Sequence, residues 1–459
     1  MSILRMTSCL GLGLALVSMP ACDSEIEDVE DVETDAEFRS GWNYAPEVNT
    51  GTYNVHLERS VRFEHAAPGS DAAAGGALFG VGPDGVTPDS SGALFEGDSM
   101  IFGGPVASNG RTCFTCHRGP EVDWGMPGLP FSDTVPPDDP LFTGINADAQ
   151  GDPDAEFNLN ELGLFKIRPN RFNVTRDADD PYRQVFGWRK SPAISNIGLA
   201  HGLLTDLRAR TSFELARGAV FSHTQDSDVR FDDLFAQEAG DNIGAFMLGL
   251  FTDPALAALR DPSDPNHQAL VDDPFSTVPV TTRRQRQGRR LFKKHCMACH
   301  NTPNVFNNLD NIEPVGNGER PTSFPPMAPA IGRGFNVGVA EANMNGLRYT
   351  HDNGDGSFSP IVIPLAAEDG TLVEHEVEFD IGLAATTGRV EDIGRFKVPA
   401  LRNVSAHAPY FHDNSVDTLE EVVDYFCSDE YNNSPAGQLY PIHLNANKRA
   451  KLVEFLELL

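Results

Sequence analysis

The sequence predicts a mainly α fold: two helical halves with long loops and a small β-hairpin insert. Three observations predict it. A five-residue motif, C-x-x-C-H, occurs twice, as Cys113-Phe114-Thr115-Cys116-His117 and Cys296-Met297-Ala298-Cys299-His300, 183 residues apart (296 − 113). Apolar residues recur at helical spacing in several stretches, while strand-like alternation is sparse. The 42 glycines and 33 prolines among 459 residues punctuate the chain most densely before residue 155, so helices there are expected to be short.

Taking the elements in order, Thr205 to Phe221 and Ala245 to Leu250 have apolar residues near helical spacing. A pair of β-strands is expected from Ile361-Val362-Ile363 and from Val373 to Phe379, joined at the turn Glu368-Asp369-Gly370. Thr418 followed three residues later by Glu421 has the form of a capping box opening a helix. Asn445 to Leu459 places Leu452, Phe455 and Leu459 on one helical face. Asp352-Asn353-Gly354-Asp355-Gly356 does not meet EF-hand spacing and reads as a turn. A weak internal repeat sets Ala93-Leu94-Phe95 before the first C-x-x-C-H and Arg290-Leu291-Phe292 before the second.

The two motifs carry the chemistry. C-x-x-C-H is the attachment signature of c-type haem. Two thiols on one turn of backbone can add to the two vinyl groups of one porphyrin, and the adjacent histidine reaches the iron as proximal ligand. Cys113, Cys116, Cys296 and Cys299 therefore read as attachment residues for two covalently bound haem c groups, with His117 and His300 as iron ligands. A zinc site would need a second Cys or His pair nearby, and a thioredoxin-like dithiol needs no histidine.

The formal net charge of −31 argues against nucleic acid as a partner, because phosphate binding needs Lys and Arg. It suits docking to a basic protein or a small cationic partner. Cys9 to Met19 is an apolar run too short to span a bilayer, and it leads to Met19-Pro20-Ala21-Cys22. This reads as a signal peptide over residues 1–21, with lipidation of Cys22 and a membrane tether as the alternative to plain cleavage. Residues 22–39 read as an acidic tether. Helical domains are expected over 40–260 and 283–459, with the Asp-Pro-rich stretch 261–282 as linker. The expected location is periplasmic.

The segment Phe396-Lys397-Val398-Pro399-Ala400-Leu401-Arg402-Asn403-Val404, followed by Ala408-Pro409-Tyr410-Phe411-His412-Asp413 and Thr418 to Val423, resembles the bacterial di-haem cytochrome c peroxidase family, including its MauG branch. Ser191-Pro192-Ala193-Ile194-Ser195-Asn196 resembles that family's S-P-x-x-x-N segment. The resemblance implies two cytochrome c-like helical domains whose haems face a shared interface. The N-terminal haem would cleave hydrogen peroxide, and the C-terminal haem would pass on electrons from a small, basic electron-donor protein, a cytochrome c or a cupredoxin. It also implies that Arg402 bridges propionates or the region between the haems.

The chain departs from the family in several places. The family's Trp, in an F-W-D-G-R context, is missing from Leu203-Leu204-Thr205-Asp206-Leu207-Arg208, although Asp206 and Arg208 survive. The distal glutamate falls on Gln225, which cannot shuttle a proton. Nearby His223, with an ordinary pKa of about 6.5, is the candidate substitute acid/base. For the second haem's sixth ligand the candidates are Tyr425 and Met327, with Met344 as a further one. For the first they are Met126 and His201. Cys427 reads as a buried inert cysteine, and His295 as a loop residue. The family's interdomain calcium stays an open alternative that is not favoured, because the Asn expected just before Ser191 is Lys190. Two other readings remain: an electron carrier without substrate chemistry, and a MauG-like oxidant of a protein or organic substrate.

Overall fold

The computed structural model describes residues 69–89, 110–142, 152–169, 184–200, 203–209, 212–223, 237–308 and 334–459. All the described residues fall in one unit. Six helices frame the two motifs: α1 Ala72–Phe79, α2 Ser212–His223, α3 Gln237–Met247, α4 Arg283–His295, α5 Leu419–Tyr425 and α6 Ala446–Leu456. They start where the side chains dictate. Asp71 caps α1 by accepting from the Ala73 and Ala74 amides, Thr282 and Gln285 form a capping box on α4, and Asn445 caps α6. The Thr418–Glu421 box opens α5 as the sequence predicts.

Helices this short are marginal alone and hold through packing. α1 crosses α3, and α4 crosses α6. Each crossing is made by a glycine: a Cβ on Gly75 would overlap the Asn242 carbonyl, and one on Gly288 would overlap the Lys451 carbonyl. Three residues on, each helix delivers a Leu-Phe pair, Leu78-Phe79 and Leu291-Phe292. The pair equivalent to Leu291-Phe292 is thus Leu78-Phe79. Ala93-Leu94-Phe95, expected in that role, lies outside the described residues. Phe79 packs against Phe246 (ring centroids 5.1 Å) and Trp124 (6.0 Å), and Phe292 packs against Phe455 (5.4 Å) and Phe306 (5.6 Å).

One expectation shifts. The helix foreseen from Thr205 begins at Ser212. Residues 203–209 instead form a turn closed by a Leu203–Ala209 bridge, with Leu204 and Leu207 at positive φ (68° and 62°). The reason is Asp206, whose buried carboxylate is held by two arginines. The Asp-Pro stretch is itself packed. Leu270, Val271 and Phe275 are buried, and Asn304 Nδ2 donates to the carbonyls of Leu270 and Asp273. The β-hairpin forms as predicted, Val362–Ala366 pairing antiparallel with Leu372–Glu376 around Gly370. Asp352 and Asp355 cap amides in the turn of a second hairpin, between Thr350–Asp352 and Phe358–Pro360.

A longer repeat appears only in the structure. Residues 190–209 and 397–416 correspond at a fixed offset of 207 (397 − 190), with Lys, Pro, Ala, Asn and Asp retained at 190/397, 192/399, 193/400, 196/403 and 206/413. Their backbones agree. Asn196 and Asn403 have φ 65° and 55°, Leu204 and Phe411 68° and 67°, and Leu207 and Asn414 62° and 53°. Each segment carries a short 3-10 helix, Ile197–Leu199 and Val404–Ala406, and a closing bridge, Leu203–Ala209 and Tyr410–Val416. The two segments clasp each other reciprocally. The Lys190 amide donates to the His412 carbonyl and the Lys397 amide to the Thr205 carbonyl, both at 2.8 Å. Such mutual exchange is what a two-fold contact produces between equal partners.

Gly288→Val would drive α4 off α6. Overpacking of this kind costs about 1–3 kcal/mol, so the thermal unfolding midpoint should fall. An unchanged midpoint would contradict the close crossing.

Candidate functional site

Thr112 and Thr115 cap one another at the start of the helical turn Cys113–Cys116. This turn presents both thiols and then releases the chain at His117. In both motifs the imidazole is steered by a downstream carbonyl. His117 Nδ1 lies 3.0 Å from the Trp124 carbonyl, and His300 Nδ1 lies 2.7 Å from the Phe306 carbonyl. A carbonyl only accepts, so Nδ1 carries the proton and Nε2 keeps its lone pair. That is the arrangement of a metal-ligating histidine. Trp124 and Phe306 hold these carbonyls from positive φ (57° and 59°), a conformation bulky residues rarely adopt.

Both motifs open onto one cavity of about 500 Å³. Its apolar wall includes Phe79, Ile194, Met247, Phe292, Leu401 and Leu456. Burial pushes His117 and His300 down to about 4, so both are neutral at pH 7. Burial also pushes Cys113, Cys296 and Cys299 up to about 12 and raises Cys116. The bare thiols are uncharged.

Three cationic side chains, Lys190, Lys397 and Arg402, line the same cavity. Arg402 Nε and Nη1 are buried without a hydrogen-bond partner, and burial lowers its pKa against the opposing fields of Asp253 and Asp123. Burial pushes Lys397 down to about 8. An apolar cavity with paired thiols, two imidazoles offering Nε2 and an orphaned guanidinium fits the groups that the motifs predict: a porphyrin face, two vinyl edges and anionic propionates. Beside the cavity, Asp123 accepts from Asn403 Nδ2 (2.6 Å) and His407 Nε2 (3.0 Å), joining the loop after the first motif to the second repeat segment.

Behind the cavity lies a buried charge network. Arg189 gives two hydrogen bonds to Asp380 (Nε–Oδ2 2.5 Å, Nη2–Oδ1 2.7 Å) and one to Asp206 (Nη1–Oδ2 2.6 Å). Asp206 also accepts from Arg208 at 2.7 Å. Burial alone would lower the Arg189 pKa, but Asp380 and Asp206 outweigh it and raise it. Burial likewise works against ionised Asp206, and Arg208 and Arg189 hold it below the usual carboxylate range. Gly187 is required here, because a Cβ would overlap the Asp380 carboxylate. The Arg189 guanidinium also sits 5.5 Å from the Phe396 ring centroid.

The remaining candidates are scattered. Tyr425 is buried and donates its hydroxyl to the Val337 carbonyl at 2.8 Å; its neighbour Phe426, not Tyr425 itself, lines the cavity. Cys427 and His295 line the cavity. Met126 packs against the cluster around Phe131 and Leu141, and Met344 is exposed. His223 ends α2, but its side chain is outside the description, as are Gln225, His201 and Met327 entirely. Sequence reasoning missed Trp124, Phe306, Arg189 and Asp380. Only the retained Asp206 and Arg208 hinted at the network, since a surviving acid–base pair wants partners.

No family model matches the chain. The chain is similar to cytochrome-c peroxidase IdrP1 of Pseudomonas sp. (strain SCT), 33% identical over 81 residues, covering 17% of this chain and 21% of that protein. It is also similar to cytochrome-c peroxidase IdrP2 of Denitromonas iodatirespirans, 25% identical over 190 residues, covering 39% and 40%. The chain thus spans well under half the length of these relatives. Among solved structures, the diheme peroxidase BthA from Burkholderia thailandensis E264 aligns at 15% identity over 80% of this chain and 87% of that one, with a TM-score of 0.38. The likeness to cytochrome-c peroxidases read from the sequence holds over the matched spans.

Asp380→Ala would leave the Arg189 guanidinium buried with one fewer counter-charge. Breaking a buried pair this way costs about 3–5 kcal/mol, to be read in chemical denaturation of the full chain; a loss below about 1 kcal/mol, the value of an exposed pair, would contradict the network. The two imidazoles set a pH window. Unfolded histidine takes up a proton near pH 6.5, whereas His117 and His300 resist to about 4. Stability should therefore be intact above about pH 6.5 and decline as pH falls from there toward 4. A metal on Nε2 would pull the same way. A stability profile that is flat across this window would contradict the burial.

Proposed function

We propose that the chain is an exported di-haem c-type peroxidase that reduces hydrogen peroxide to water with electrons from a small, basic redox protein. The observation that carries this reading is the shared cavity: both C-x-x-C-H motifs open onto it, each with its histidine Nδ1 committed to a backbone carbonyl. The similarity to proteins named cytochrome-c peroxidase supports the same class. Reduction consumes two electrons and two protons per peroxide and yields two waters.

Under this reading Cys113 and Cys116 hold one haem and Cys296 and Cys299 the other, with His117 and His300 as proximal ligands. Haem iron, when bound, supplies the electron chemistry. The chain supplies the rest. The Trp124 and Phe306 carbonyls fix the imidazole tautomers, and the apolar wall excludes water. Arg402, whose buried Nε and Nη1 lack partners, receives propionate charge. His223 is the proposed proton carrier, taking the role that Gln225 cannot fill. The Tyr425 hydroxyl, already bonded to Val337, gives the MauG-like oxidant reading no support. The signal segment and Cys22 lie outside the described residues; export, with or without lipidation, is part of the proposal.

The test uses the protein from a host that matures c-type cytochromes. The mature mass should exceed that of the polypeptide by two haem groups. Carbon monoxide should bind at least one reduced iron, and peroxide should oxidise a reduced small cytochrome c in steady state. His223→Ala should lower that rate by about 10²–10⁴-fold, the usual worth of a general acid or base. Two irons that stay closed to carbon monoxide in every redox state would leave the carrier reading in place of the peroxidase.

A further inference from the structure

Lys190 takes part in the seam twice. Its amide belongs to the reciprocal clasp, and its side chain crosses to the other segment. There Nζ donates to the carbonyl of His407 at 2.9 Å and, more closely still, to that of Pro409. Among the described residues no carboxylate hydrogen-bonds this ammonium; the charge acting on it is that of Asp413. Burial lowers its pKa to about 8, so it stays charged at pH 7. The two carbonyls belong to the segment that carries His407 to Asp123 (3.0 Å) and stacks His412 on Phe396, with ring centroids 4.0 Å apart.

Backbone carbonyls converging on a positive charge are the donor set of a hard cation. The resemblance implies calcium between the halves, with an asparagine where this chain has Lys190. Calcium takes six to eight oxygens at about 2.3–2.6 Å, and a fixed ammonium on the same two carbonyls would repel it and exclude it. The residues do not fit the metal.

We infer that Lys190 is a tethered cation that replaces a free divalent ion at this seam, holding segment 407–412 in place from within the chain. As a positioning residue it fixes the wall that bears Tyr410, Phe411 and His412, all of which line the cavity. The inference rests on the ammonium–carbonyl geometry and not on peroxide chemistry, so either reading can fail without the other.

The test compares the full holoprotein with Lys190→Asn, which removes the charge and leaves an oxygen donor. The wild type should keep its melting midpoint in chelator, show no shift with about 1 mM calcium chloride, and contain no stoichiometric calcium by elemental analysis. Lys190→Asn should melt several degrees lower in chelator. Calcium should restore its midpoint, with one ion bound per chain by calorimetry, and sodium at matched ionic strength should not. A wild type that loses stability in chelator or holds one calcium per chain would overturn the inference. So would a variant as stable as wild type without any added ion, or one that calcium fails to restore. If the variant does not fold, the wild-type chelator response and calcium content decide.

Discussion

The first repeat segment is anchored by one buried charge, Arg189. Its guanidinium has two carboxylates, Asp206 from the turn of the first segment and Asp380 from the end of the hairpin region. Burying such a group without partners is prohibitive, and even paired burial contributes little net stability. What the arrangement contributes is specification, because few alternative packings leave three or four buried charges satisfied. The reciprocal amide bonds of Lys190 and Lys397 then set the register on either side of it.

This network explains a feature of the sequence that the peroxidase resemblance leaves unexplained. The family's inter-haem tryptophan is missing, yet the Asp and Arg of the same short motif persist as Asp206 and Arg208. Here Asp206 accepts from both Arg189 and Arg208, a task that does not depend on an aromatic neighbour. The turn that carries them departs from helix because Asp206 must point inward, and the backbone accommodates it with positive φ at Leu204 and Leu207.

The cavity combines two opposing demands. Its apolar wall favours a flat hydrophobic group, while Arg402 and Lys397 are cations held where water is scarce. Orphaned buried donors are costly unless something anionic meets them. Under the proposed function the propionates do so for Arg402. The chain's net charge of −31 makes these few inward-facing cations more conspicuous.

Much of this was legible in the sequence. The thiols and imidazoles of each motif are local: C-x-x-C-H brings them onto one turn whatever the rest of the chain does. The cap at Thr418 and the hairpin around Gly370 are likewise set by neighbours within a few residues. The helix crossing at Leu78-Phe79 is set by Gly75, which admits the Asn242 carbonyl from 167 residues away (242 − 75). Tertiary structure alone decided that His117 and His300 share a cavity, that Arg189 meets Asp380 across 191 residues, and that Lys190 reaches the carbonyls of His407 and Pro409. Hydrogen bonds to distant carbonyls and the pairing of buried charges depend on which segments lie side by side, and no local pattern of residues encodes that.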